Sequence, residues 1–147
     1  MPKIALEWQR FAAFSAEGLY ELLRFRQAIF VVEQASPYPD LDGLDREAWH
    51  LSLRIEDRLA GCLRLLPPPA LSIGRVAVAA DCRRRGLARR MMHAALAVCA
   101  ERWPEEEIHL TAQLPLAGFY ESLGFAPISE PFDDFGVAHL HMCRRQT

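Results

Sequence analysis

SIGRVAVAADCRRRGLARRMMHAALAVCAERW, residues 72–103, is the stretch that decides how this chain folds. Gly74, Val76 and Val78 recur at period two, and β-branched valines suit a pleated surface. The segment therefore opens as a strand with these three residues on one face. After Arg83-Arg84-Arg85-Gly86 the period changes. Leu87, Met91, Ala95 and Val98 recur at steps of three and four, with Met92, Leu96 and Cys99 widening an apolar helical stripe. A strand that passes through a glycine turn into a helix start is a ready anion site. The first amides of a helix have no intrahelical acceptor, and the helix dipole places partial positive charge there. Gly86 permits close backbone approach, and Arg83, Arg84, Arg85, Arg89 and Arg90 add full charges nearby. The ligand expected from this physics is a polyphosphate.

Taken alone, an arginine cluster reads equally well as a solvated surface or a nucleic-acid patch. Composition speaks against the second. Lys and Arg number 17 against 19 Asp and Glu, a net charge of −2, so the basic turn is a local feature of a slightly acidic chain. A general nucleic-acid binder is basic over a whole face. The 147 residues suit one domain, and 51% hydrophobic with 24% charged residues is a globular balance. Cys62, Cys82, Cys99 and Cys143 form no C-x-x-C pair, and three sit in apolar surroundings, as thiols of a reducing compartment do. No apolar run is long enough to span a bilayer and the N-terminus carries no secretory signal. The expectation is a cytoplasmic protein with no membrane or nucleic-acid partner.

Working outward, Ile4 to Phe11 reads as a first strand. Ser15 caps a helix over residues 16–31, whose stripe is Leu19, Leu22, Leu23, Arg26, Ile29 and Phe30. Pro37 and Pro39 forbid helix in the Asp-rich loop that follows, and Asp42-Gly43 favours a turn. His50 to Glu56 alternates, with Leu51, Leu53 and Ile55 facing one way. Asp57-Arg58 is expected to turn it into a partner strand, Leu59 to Leu66. Pro104 closes the central helix. Ile108, Leu110 and Ala112 form a strand with His109, Thr111 and Gln113 on its other face. Leu116 to Leu123 is a helix stopped by Gly124, and Phe125–Ile128 and Val137–Cys143 complete the chain as strands. The order β-α-β-β-β-α-β-α-β-β implies an α/β fold with a mixed sheet.

The spacing Arg83-x-x-Gly86-x-Ala88 resembles the pyrophosphate-binding signature Arg/Gln-x-x-Gly-x-Gly/Ala of the GNAT N-acetyltransferases, whose topology has the same element order. Gly118-Phe119-Tyr120-Glu121-Ser122-Leu123-Gly124-Phe125 resembles that family's F-Y-x-x-L-G-F run. Phe30 to Gln34, Pro37-Tyr38, the Asp40/Asp42/Asp45 loop, His50, and Asp133-Asp134 before His139 resemble the ElaA-like branch of the family. The resemblance implies a central sheet of about seven strands, flanked by helices and splayed between the central strand and the next parallel one. It implies acetyl-coenzyme A as co-substrate and an amine acceptor, with no metal. Relatives are often homodimers, which leaves a homodimer open.

The resemblance also assigns residues. The pantetheine arm would lie along Val76, Ala77 and Val78. The pyrophosphate would meet the amides of Arg84, Arg85, Gly86, Leu87 and Ala88, with Arg83 and Arg89 supplying charge. A backbone N–H near Val76 would hold the developing oxyanion, and Tyr120 would support the departing thiolate. A phenol titrates near ~10 and a thiol near ~8.5, so Tyr120 stays protonated at neutral pH. Its blander reading is a core aromatic. Many relatives place a Glu on the central strand as base, but this strand offers only Arg75 and Ser72. Glu33, His50 and His139 remain as base candidates, directly or through water. The Asp40/Asp42/Asp45 loop is either a Coulombic attractor for a cationic amine or a self-satisfied turn, and it lacks the full calcium-loop pattern.

Two other readings stay open. Arg26, Phe30, Asp42 and Asp45 resemble the Arg…Phe…Asp-x-x-Asp pattern of the acyl-homoserine-lactone synthases. A non-catalytic acyl-coenzyme A-binding module of the same fold would also fit, because no base is fixed by the sequence.

Overall fold

The computed structural model describes residues 2–146. Its strands are β1 Ile4–Arg10, β2 Trp49–Ile55, β3 Arg58–Leu66, β4 Ser72–Val78, β5 Ile108–Gln113, β6 Ala126–Pro127, β7 Phe132–Asp134 and β8 Val137–Arg144. The helices are α1 Ala16–Gln27, α2 Leu87–Arg102 and α3 Ala117–Glu121. Eight strands form one mixed sheet in the order β1-β2-β3-β4-β5-β8-β6, with β7 paired to β8. The expected α/β architecture is present, with one strand more than the seven anticipated. The addition is β7, three residues long and registered on β8 through Phe132↔His139 and Asp134↔Val137. No helix among the described residues is long and apolar enough to cross a membrane.

Two apolar clusters lie on the sheet. The larger holds Leu51, Leu63, Leu65, Ile73 and the α2 stripe Leu87, Met91, Met92, Ala95, Cys99. The smaller sets Leu22 and Ile29 against Cys62 and Ala77. Ser15 caps α1 as anticipated, its side chain accepting from Gly18 N–H at 3.0 Å. The regular helix then stops at Gln27, and Ala28–Glu33 continue as a wider π-helical turn. That turn corrects the single helix expected over 16–31. Insertions of this kind occur where a site needs side chains re-aimed, and here Phe30 and Glu33 are turned into the cleft described below. The β2–β3 turn is made by Glu56 and Asp57, both at positive φ (48° and 70°), rather than by Asp57-Arg58. Two consecutive left-handed residues match the strand twist of a tight hairpin.

The central strand departs from simple alternation. Cys62 pairs with Ala77 and Arg64 with Gly74, so Arg75 and Val76 together oppose Leu63 in a bulge. Arg75 sits at φ 53°. The extra residue flips the parity of the strand, so Ile73, not Gly74, shares the larger core with Val76 and Val78. Beyond the bulge β4 is no longer paired with its neighbour β5. β4 and β5 run parallel and pair at Ser72 with His109, where His109 N–H donates to the Leu71 carbonyl at 3.0 Å, and no further pair follows.

Candidate active site

Where β4 and β5 part, a cleft of about 630 Å³ opens, lined by Val76, Ala77 and Val78 on one side and Leu110, Thr111 and Tyr120 on the other. A second space of about 450 Å³ adjoins it and shares Tyr38, Gly74, Arg75, Thr111, Asp134 and His139. The free edge of β4 faces the cleft. Ala79 N–H donates to Ala60 O at 2.8 Å, toward β3. Strand alternation therefore turns the N–H and C=O groups of Val76 and Val78 the other way, into the opening. The Val78 carbonyl there accepts from Arg83 Nε at 3.0 Å.

One end of the cleft is the start of α2. Gly86 is its N-cap at φ 75°, with no side-chain cap, and Arg90 N–H to Gly86 O at 3.1 Å closes the first helical bond. The amides of Leu87, Ala88 and Arg89 are thus left without an intrahelical acceptor. Arg84, just before, is also left-handed at φ 64°. A Cβ built on Gly86 would meet nothing within 4 Å, so the corner is open. Uncapped amides, an open corner and a free strand edge suit an elongated ligand with an anionic end, and Ala88 lines the cleft at that end.

The arginines divide. Arg83 is tied to Glu33 by two hydrogen bonds of 2.6 and 2.9 Å as well as to Val78, so its charge is already compensated. Arg89 donates to Ser122 Oγ at 3.0 Å and lies over the Phe119 ring at 5.2 Å. Arg84 and Arg85 are exposed at the corner, while the Leu87 side chain is buried in the core. Of the two arginines expected to supply charge, Arg83 is compensated by Glu33, whereas Arg89, like Arg84 and Arg85, is exposed with no carboxylate partner among the described residues. The two hydrogen bonds from Arg83 tie Glu33, on the π-helical turn, to the loop before α2 and hold its carboxyl below the usual range. Glu33→Gln is expected to cost under about 1 kcal/mol in chemical denaturation. It should also leave the acidic limb of the pH–rate profile in place, and a vanished limb would restore Glu33 as the base.

Tyr120 is the best-fixed member of the site. Phe125 N–H bonds to Tyr120 O (3.1 Å) and Gly124 N–H to Glu121 O (3.0 Å), with Gly124 at φ 92°. This is the paired Schellman arrangement that ends a helix firmly. The ring lies edge-on to Phe119 and Phe125 at 5.0 and 6.3 Å, and burial pushes the phenol up to about 12. His139 lines both openings, and its Nδ1 lies 2.7 Å from the Val137 carbonyl. A carbonyl only accepts, so that nitrogen carries the proton and the neutral ring keeps its lone pair on Nε2. His50 is elsewhere. It is 2% exposed, edge-on to Phe14, with Nε2 2.9 Å from the Asp45 carbonyl, and it lines neither space. The structure does not bring it to Tyr120 and His139.

The Asp loop is neither a bare turn nor an open acidic lure. Arg26 bonds Asp40 (3.0 Å) and Asp45 (2.7 Å), and Arg64 bonds Asp42 (2.9 Å) and Asp45 (3.2 Å). Arg75 reaches Asp42 at 3.1 Å and the Asp40 carbonyl at 3.0 Å, and lies over Tyr38 at 4.7 Å. Its Nε is 2.8 Å from Asp40 Oδ1 but too bent for a hydrogen bond, so that contact is Coulombic. The sequence grouped the three aspartates as one loop and set Arg26 beside Asp42 and Asp45 in a shared pattern, but nothing in it joined Arg64 or Arg75 to them. Burial works against the Asp42 charge, but bonds from Arg64 and Leu44 N–H and the nearby guanidiniums hold it at about 2. Burial also lowers His50. Both folded values lie below the unfolded ones, so each group stabilises the fold above its unfolded value and loses that contribution as pH falls. Denaturant titrations are expected to show stability declining first below pH 6.5, with His50, and again between 3.8 and about 2, with Asp42.

Outside the cleft, Glu107, His109 and Cys143 bring one donor atom each within 4.8 Å of one another. Burial and the Glu107 carboxylate keep the Cys143 thiol protonated, donating to Glu107 Oε2 at 3.4 Å.

The Acetyltransferase (GNAT) domain family matches residues 13–145. This chain belongs to the GNAT acetyltransferase family. Protein ElaA of Escherichia coli is 35% identical over 95% of this chain and 96% of its own, and a UPF0039 protein of Synechocystis sp. is 37% identical over 97% and 96%. The crystal structure of Escherichia coli ElaA superposes with a TM-score of 0.91 at 34% identity, covering 97% of this chain and all of that one. An acyl-CoA N-acyltransferase from Pseudomonas aeruginosa gives 0.89 at 32% identity, covering 97% and 99%. The AHL synthase LasI, 11% identical with a TM-score of 0.77, covers 100% of this chain and 92% of its own and shares the fold alone. As a GNAT protein the chain has the fold of acyl-CoA-dependent acyltransferases, in which an acyl-CoA is the co-substrate.

Proposed function

We propose that this GNAT protein is an N-acetyltransferase that moves an acetyl group from acetyl-coenzyme A to a primary amine by direct attack in a ternary complex. The observation that carries the reading is the opening between β4 and β5, with uncapped amides at one end and the Tyr120 phenol on its wall. The backbone edge at Val76 and Val78 would pair with the amide-bearing arm as an added strand does. An N–H at Val76 would be the fixed donor for charge developing on the carbonyl oxygen. Tyr120, near 12, lies several units above an ordinary thiol at ~8.5, so it keeps its proton and serves the departing sulfur as a hydrogen-bond donor. His139 Nε2 would take the proton released by the attacking nitrogen.

The test has two readouts. Calorimetry with acetyl-coenzyme A is expected to show binding below millimolar concentration, and a thiol-release assay over a panel of primary amines is expected to show turnover. Absence of binding removes the reading, and binding without turnover on any amine leaves an acyl-coenzyme A-binding module.

A further inference from the structure

The two spaces meet along the β7–β8 hairpin. Its register places Phe132, Asp134, Val137, His139 and His141 on one face, because side chains alternate along paired strands. All five line one space or the other, and Asp134 and His139 line both. The charges around them are almost entirely compensated. Glu33 is paired with Arg83, Arg64 with Asp42 and Asp45, and Arg75 with Asp40 and Asp42. Asp134 lines the junction, half-buried, and among the described residues its carboxylate has neither an ion pair nor a side-chain hydrogen bond. One negative charge thus stands unpaired in a recess whose other lining charges are paired, where the field is focused on whatever enters.

A cation answers that charge, but it cannot be the reacting nitrogen. An amine must be neutral to attack, and a carboxylate against it would hold it protonated. Asp134 therefore suits a second nitrogen on the same molecule. His139 lines the same junction with Nδ1 engaged by the Val137 carbonyl, which leaves Nε2 for the first nitrogen, and the two residues are diagonal neighbours across the hairpin, roughly 7–8 Å apart at Cα. A few methylenes between two nitrogens span such a gap, with the Tyr38 and Phe132 rings walling the space of about 450 Å³. We propose that the acceptor is a short aliphatic diamine, its distal ammonium held by Asp134 and its reacting nitrogen delivered at His139. This rests on the N-acetyl-transfer reading above. The nitrogen lone pair forms the N–C bond to the acetyl carbon and the C–S bond breaks. One proton passes from the nitrogen to His139 Nε2 and on to solvent, the thiolate takes a proton from solvent, and the distal ammonium is unchanged.

Initial thiol-release rates with acetyl-coenzyme A would be compared for 1,4-diaminobutane and n-butylamine. Loss of one charge-assisted hydrogen bond predicts that wild type prefers the diamine by about 30-fold in kcat/KM. Asp134→Asn should bring that preference to within about threefold of unity, and Asp134→Glu should retain most of it. Equal use of the two amines by wild type, or an undiminished preference in Asp134→Asn, overturns the proposal. If acetyl-coenzyme A binds but no amine turns over, the transfer reading fails separately. Calorimetry of 1,4-diaminobutane on wild type and Asp134→Asn then decides the subsite, with equal or absent binding overturning it.

Discussion

Tyr120→Phe is expected to lower kcat for acetyl transfer about a hundredfold while leaving the affinity for acetyl-coenzyme A within about threefold. The substitution removes one oxygen and keeps the ring against Phe119 and Phe125, so packing and the Schellman cap are retained. What is lost is the hydroxyl of a cleft-lining residue whose proton, at a value near 12, does not dissociate in the working range. Such a donor acts on charge that appears only as the C–S bond breaks, and a group of that kind changes kcat rather than binding. Steady-state thiol release on one amine, with calorimetry in parallel, separates the two. A kcat within threefold of wild type would return Tyr120 to the role of a core aromatic.

Arg26→Met should destabilise the fold by about 3–5 kcal/mol, a fall in melting temperature of about 10 °C. Arg26 is 1% exposed, and although burial opposes its charge, Asp45 and Asp40 hold it firmly protonated. Removing it turns a cluster of three arginines and three aspartates into one with an excess buried carboxylate. The comparison is Arg54→Met, whose partner Glu21 is exposed and whose loss should cost under about 1 kcal/mol. Circular dichroism melts of the two variants decide the matter, and an Arg26→Met protein as stable as Arg54→Met would show that the cluster positions the loop without stabilising it.

Most of the frame was legible before any coordinates, because it rests on short-range chemistry. The Ser72–Trp103 strand, turn and helix follow from valine alternation, a basic glycine corner and a 3.6-residue stripe. Each is a property of neighbours within a few residues. Ser15 as a cap and Gly124 as a stop are local in the same way. The site was only partly legible. Tyr120 and His139 were named from the sequence, whereas Asp134 was quoted only as part of a branch motif and His50 proved to lie in the interior.

The sequence by itself therefore determined three helices, seven of the eight strands, their order and the glycine corner at Gly86, since hydrophobic periodicity and backbone freedom are written residue by residue. Tertiary structure alone decided the rest. The bulge holds Arg75 at φ 53°, where its guanidinium meets Asp40 and Asp42 more than thirty residues away. The three residues of β7 become a strand only because β8 offers them a partner. Which charges cancel, and which one is left facing the cleft, depends on contacts such as Glu33 with Arg83 across fifty positions. Coulomb's law acts on distance in space, and a linear chain does not record that distance until it has folded.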